Sequence, residues 1–167
     1  MNIVKGLVRK TYPTWNKVYR VSFSVIVNKL PHAKWTNVIH FTTGGNAGVY
    51  GYRNPAVWIN KGSQSFYIIS AVSGNLNYHS KGYKFSLGKQ YDITIQQSIQ
   101  NSKYWYEILI NNILRLRVHN TKPIIFSNVK EYISDPWHIS FTSDIGTIFN
   151  LKVKSKGDKN GELLQYF

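Results

Sequence analysis

The sequence predicts an all-β protein, a two-sheet antiparallel β-sandwich of the jelly-roll kind. Three observations point there. Apolar residues recur with period two along several segments. Turn signals separate those segments at intervals of roughly 8 to 12 residues. No stretch of ten or more residues carries a convincing 3.6-residue period, so helices are not expected. The aromatic content of 15%, from 5 Trp, 12 Tyr and 8 Phe, fits the same picture, because large flat side chains suit pleated, half-buried surfaces.

The elements follow in order. In "VYRVSFSVIV" (18–27), Tyr19, Val21, Phe23, Val25 and Val27 take one apolar face, with Arg20, Ser22 and Ser24 opposite. That is the pattern of a half-buried strand. The segment "VIHFTTGGNAGVYGYRNPAVWI" (38–59) begins and ends like a strand and carries a polar, glycine-rich loop between. "SFYIISAV" (65–72) is a more continuous apolar run, and "SGNLNYH" (73–79) reads as a polar hairpin loop after it. "QYDITIQQSI" sets Tyr91, Ile93 and Ile95 against Asp92, Thr94 and Gln96, and "KYWYEILI" sets Tyr104, Tyr106, Ile108 and Ile110 against Trp105, Glu107 and Leu109. Asn111-Asn112 then joins "KYWYEILI" to "ILRLRV", and two asparagines tolerate the positive φ of a two-residue type I′ hairpin turn. "WHISFT" and "GTIFNLKV" supply two late strands. Residues 1–155 are expected to form a single sandwich domain, with 156–167 a C-terminal tail.

The 167-residue length allows a real core. Formal net charge is +14, from 21 Lys+Arg against 7 Asp+Glu, so polyanions should be attracted. The cations are scattered rather than gathered in a tail; the densest groups are Arg9-Lys10, Arg115 with Arg117, and Lys152, Lys154 and Lys156. Without cysteine there is no disulfide and no thiolate chemistry. No run of about 18 apolar residues is present to span a membrane. The first ten residues lack the apolar stretch and cleavage site of a signal peptide, which leaves a cytosolic protein or one whose signal is absent from this chain.

The common catalytic patterns are missing. The seven acids form no E-x-D-x-x-E row, the pattern that sets catalytic carboxylates along one strand. No G-x-S-x-G elbow occurs. His32, His40, His79, His119 and His138 have no metal-ligand spacing. Asp135 and Asp144 are the only late acidic pair that calcium could use. Gly44-Gly45-Asn46 lacks the Lys-Ser/Thr ending of a phosphate loop. No enzyme and no cofactor are expected.

Recognition is what remains. Sugars are held by aromatic faces against their C–H patches and by planar polar side chains that read hydroxyls. The 38–59 segment offers His40, Asn46, Tyr50, Arg53, Asn54 and Trp58, and the following loop adds Asn75, Asn77 and His79. The same residues also admit structural roles: Trp58 in the core, Arg53 paired with Asp135 or Glu131, and Asn54-Pro55 as a turn opener. In "SDPWH" (134–138), Asp135-Pro136 reads as a turn, and Trp137 as a core residue, the alternative being an exposed stacking platform.

The ordered pieces "WTNVIHFTTGGN", "YGYRNPAVWI", "FYIISAVSGNLNYH", "YDITIQQ", "YWYEILINN", "FSNVKEYISDPW" and "GTIFNLKV", over residues 18 to 153, resemble concanavalin A-like (laminin G-like, lectin/glucanase-type) sandwich modules of extracellular invertebrate proteins. A looser similarity to galectins rests on His40. It departs from the H-x-N-x-R strand at Thr42 and Gly44, so galactoside binding is not carried over. The glucanase acids are missing as well.

The resemblance implies a secreted or matrix module used for recognition or adhesion. With the basic balance, the expected partners are a glycan, a sulfated polysaccharide or an acidic matrix protein. The alternative is a structural or adhesive protein that self-assembles as a homo-oligomer through its basic, aromatic-rich surface. Nucleic acid is a weaker third reading: "KYWYE" and "ILRLRV" interleave rings and cations, but no RNP, KH or OB-like signature accompanies them.

Overall fold

The structure, a computed structural model, describes residues 3–79 and 81–156. Among these there are thirteen strands and no helix. One sheet runs in the order β1 (Val8–Trp15), β11 (Phe126–Ile133), β3 (Trp35–Thr42), β4 (Ala56–Asn60), β5 (Ser65–Val72), β6 (Asn75–His79). Two short strands join it: β7 (Tyr83–Lys84) on β5 and β12 (Ile139–Ser140) on β3. The other sheet runs β10 (Ile113–His119), β9 (Lys103–Ile110), β8 (Gln90–Gln100), β2 (Val18–Val27), β13 (Gly146–Lys156). All pairings are antiparallel except that of β12 with β3.

The core lies between the sheets and comes from the expected alternation. Val21, Val25 and Val27 are fully buried, and Phe23 nearly so. Ile93, Ile95, Tyr106 and Ile108 answer them from β8 and β9. The opposite sheet contributes Ile39, Phe41, Val57, Ile59, Phe66 and Ile68. Inside this apolar layer Ser70 and the Tyr106 hydroxyl satisfy each other at 2.8 Å, as buried hydroxyls must.

The Asn111-Asn112 turn has φ of 53° and 60°, the positive pair a type I′ hairpin demands. Two expectations are corrected. Residues 75–79 are a strand, β6, with the turn confined to Ser73 and Gly74 at φ 54° and 82°. The late strand begins at Ile139, not Trp137. The Asp135 carboxylate accepts the backbone N–H groups of Trp137 and His138 at 3.1 and 2.9 Å, and that turn keeps both out of the ladder. Val8–Trp15, which no alternation announces, forms edge strand β1, the position that tolerates its Pro13. The expected tail, 156–167, lies outside the described residues beyond Lys156.

Candidate functional site

Strand alternation decides which residues leave the core. With Ile39 and Phe41 turned inward on β3, His40 faces outward; with Val57 and Ile59 inward on β4, Trp58 faces outward. The register sets Tyr132 of β11 beside His40, and Tyr67 of β5 beside Trp58. His79 of β6 lies opposite Ile69 of β5. The outward face of the six-strand path therefore mixes rings with the smaller apolar Ala56 and Ile69. It carries His40, Trp58, Tyr67, His79 and Tyr132.

The centre of this face rests on a buried carboxylate. Asp135 and His40 are fully buried, with His40 Nδ1 2.7 Å from Asp135 Oδ2. His40 Nε2 sits 2.6 Å from the Tyr52 carbonyl oxygen. His138 turns its Nδ1 to Asp135 at 2.9 Å, and its side chain is 20% exposed. Asn37 Oδ1 accepts the Asp135 backbone N–H at 2.9 Å. Burial alone would raise the Asp135 pKa. The hydrogen bonds from His138 and His40, and their charge, outweigh burial and hold it well below the usual carboxylate range.

Above this foundation lie rings and a guanidinium. Trp58 meets the His40 and His138 rings edge-on, both at 5.4 Å. Trp137 stands edge-on to His40 at 5.5 Å and to Tyr132 at 5.9 Å, and is 41% exposed. Trp137 is thus a surface ring, not the core residue the sequence suggests: the Asp135 turn lifts it off the sheet.

Arg53 lies over Trp58, its Cζ 4.8 Å from the ring centroid. It donates from Nε to the Asn46 carbonyl at 2.9 Å and from Nη1 to Asn77 Oδ1 at 2.9 Å. It is bonded to neither Asp135 nor Glu131. Burial lowers its pKa, while the Asp135 charge opposes that shift. Farther along the same face Trp35, Tyr67 and His79 form an edge-on series at 5.0 and 6.4 Å.

The nine residues singled out from the sequence fall into three groups. Arg53, Asn46, Asn77, Trp58 and His40 converge, but in layers. Arg53 is partly exposed, Asn46 and Asn77 hold it, Trp58 at 3% exposure lies beneath, and His40 is fully covered. His79 sits at the margin against Tyr67, and Asn75 serves the turn, its Oδ1 accepting the Asn77 backbone N–H at 2.8 Å.

Tyr50 and Asn54 lie elsewhere. They line a cavity of about 10 Å³ with Trp15, Tyr19, Ala71 and Phe126. The same face also includes Trp137, His138, Tyr67 and Trp35, which the sequence reading did not assign. The available signal was Asp135 followed three residues later by His138, and the outward phase Tyr67 shares with Trp58. Among the described residues no group of three or more His, Cys, Asp or Glu side chains is arranged to hold a metal ion.

Two sheets, with every pairing antiparallel but that of β12 on β3, form a concanavalin A-like β-sandwich. Solved structures share that fold. A mutant of HCR/D aligns over 89% of this chain and 36% of its own, at 16% identity and a TM-score of 0.59. The botulinum neurotoxin serotype D binding domain aligns over 93% and 35%, at 15% identity and 0.53. A family 7 alginate lyase in complex with substrate aligns over 85% and 63%, at 12% identity and 0.53. This chain thus spans about a third to under two thirds of their lengths. No family model matches the chain, and no curated protein matches it in sequence.

Proposed function

We propose that this chain is a non-enzymatic recognition module that binds an acidic carbohydrate, in an extracellular setting, on the outward face of the β11-β3-β4-β5-β6 sheet. The observation that carries the reading is Arg53. Its guanidinium is fixed by Asn46, Asn77 and the face of Trp58, so little freedom is lost when it pairs with a carboxylate or sulfate. On the same face Trp137, edge-on to His40, is an exposed ring for a sugar's C–H patch. The net charge of +14 adds long-range attraction. The acids nearest this sheet support a non-enzymatic role. Asp135 is enclosed by two histidines, and Glu131 is buried under Arg9 and Tyr12 at 2.8 and 2.6 Å.

The test is a glycan array that includes sulfated and uronate polysaccharides, read at about 0.15 M and 0.5 M salt, where the screening length falls well below 8 Å. Acidic glycans should be retained by the wild type and lost by Arg53→Ala and Trp137→Ala. Equal signals for both variants would remove the site. A defined neutral sugar bound at both salts would leave a lectin and remove the acidic preference.

One observation favours the self-assembling alternative: edge strand β10 exposes Ile113 and Leu114 at 53% and 48%. Concentration-dependent sedimentation with no glycan binding would favour that reading.

A further inference from the structure

The opposite face of the molecule carries its own constellation. On the outward side of the five-stranded sheet, the register places Arg117, Glu107, Gln96, Arg20 and Lys154 in one row across β10, β9, β8, β2 and β13. The next row toward the β9–β10 turn runs Leu114, Leu109, Thr94, Ser22 and Lys152, polar from β8 onward. On the other side, His119 lies opposite Trp105 and Trp105 opposite Ser98.

The organising residue is Glu107. It points away from the core yet is only 5% exposed. Gln96 Nε2 donates to its Oε2 at 2.7 Å, and Arg117 Nε lies 3.4 Å from its Oε1. Arg117 is held twice more, by a hydrogen bond to Gln100 Oε1 and by the Trp105 ring, 4.6 Å from its Cζ. Its side chain nevertheless remains 36% exposed. A buried carboxylate, an amide and an indole thus fix a guanidinium on the outward sheet surface. With strands spaced about 4.8 Å apart, Arg20 lies roughly 14 Å from Arg117 and Lys154 one strand farther.

We propose that this face is a second binding surface, for an acidic polysaccharide lying across the strands, with Arg117 as its anchor and Arg20, Lys152 and Lys154 as further cation contacts. The partner class follows from the surface. Duplex DNA needs an element that enters a groove, and a flat sheet offers none. Single-stranded nucleic acid needs a series of stacking rings, whereas here Trp105 already lies between Arg117 and His119. Hydroxyl and amide groups beside fixed cations match a chain of hydroxyls and anionic groups.

The test measures binding of a defined heparin octasaccharide to the full chain by titration calorimetry. The triple variant Arg20→Gln/Arg117→Gln/Lys154→Gln is compared with a charge-matched control, Lys5→Gln/Lys61→Gln/Lys89→Gln, and with Arg53→Ala. Unchanged thermal unfolding and near-ultraviolet circular dichroism confirm that each is folded. The sheet triple should lose affinity roughly tenfold or more and show a shallower salt dependence. The control should lose much less, since its charges act only at a distance.

Equal losses in the two triples would reduce the effect to net charge and overturn the proposal. Binding that vanishes in Arg53→Ala but survives in the sheet triple would overturn it too, while leaving the first face standing. Tighter binding of a single-stranded oligonucleotide of equal charge would overturn the polysaccharide assignment.

Discussion

At the residue scale, Asp135 governs the candidate site. It accepts from two histidines and two backbone N–H groups, so several positions depend on one carboxylate. Removing one partner of a buried pair typically costs about 3–5 kcal/mol. His40→Leu should therefore destabilise the protein on that scale in urea unfolding, whereas Trp137→Ala, at an exposed position, should cost little stability. Asp135 also sets a pH dependence. Its folded pKa is depressed, so the stability it supplies is fully present above the ordinary carboxylate pKa of about 3.9 and is lost as pH falls below it. Asp135→Asn should flatten the decline in stability between roughly pH 4 and pH 2. An unchanged decline would show that other carboxylates carry the acid sensitivity.

The sequence made Arg53 visible as a candidate and hid its setting. Asn46 reaches it from 7 positions before within the same loop, while Asn77, 24 positions after, is brought there by the β5–β6 hairpin. His40 and Trp58 were legible as chemistry but not as layers, because alternation tells inside from outside and not how deeply an outward residue is covered. Trp137 was misread for a related reason: nothing local shows that one carboxylate pins the backbone of Trp137 and His138 and turns the indole outward.

At the element scale, segments with an alternating or continuous apolar pattern were the legible ones. Strands β2, β5 and β9 occupy the spans their patterns predict, since one face of each must meet the core. Strand β1 was not legible. Its residues are mostly exposed, and its place follows from pairing with β11, where Arg9 and Tyr12 reach the buried Glu131. Strand β6 was hidden likewise by polar residues on an edge.

Gly146 begins β13, and a Cβ there would lie 2.1 Å from the Ile26 carbonyl oxygen and 2.7 Å from the Phe141 ring. Gly146→Ala should therefore cost about 1–3 kcal/mol, as overpacking does, measured by the urea midpoint. A neutral result would mean that the β2–β13 pair opens readily at that end. At the β9–β10 turn, Asn112→Val should cost a further roughly 1 kcal/mol or more, because a β-branched residue resists its φ of 60°.

At the scale of the whole molecule, the excess of cations is large and its compensation small. Ion pairs that join Lys or Arg to an acid include Arg9–Glu131, Lys29–Asp144 and Arg117–Glu107. With 21 Lys+Arg against 7 Asp+Glu, the cations far outnumber the acids, and they repel one another across a small surface. Such self-repulsion opposes the compact state, and no disulfide offsets it. Added salt screens the repulsion over a Debye length that falls from about 30 Å at 0.01 M to about 10 Å at 0.1 M. The melting temperature should therefore rise as sodium chloride is raised through that range. A sulfated polysaccharide should raise it further at equal ionic strength, because a ligand of the native state adds stability in proportion to the logarithm of its concentration over Kd. Scanning calorimetry separates the two effects: screening responds to any salt, and binding only to the polymer. A melting temperature that falls with salt would mean that ion pairs outweigh repulsion, and the basic surface would then be a structural network rather than one that needs an anionic partner.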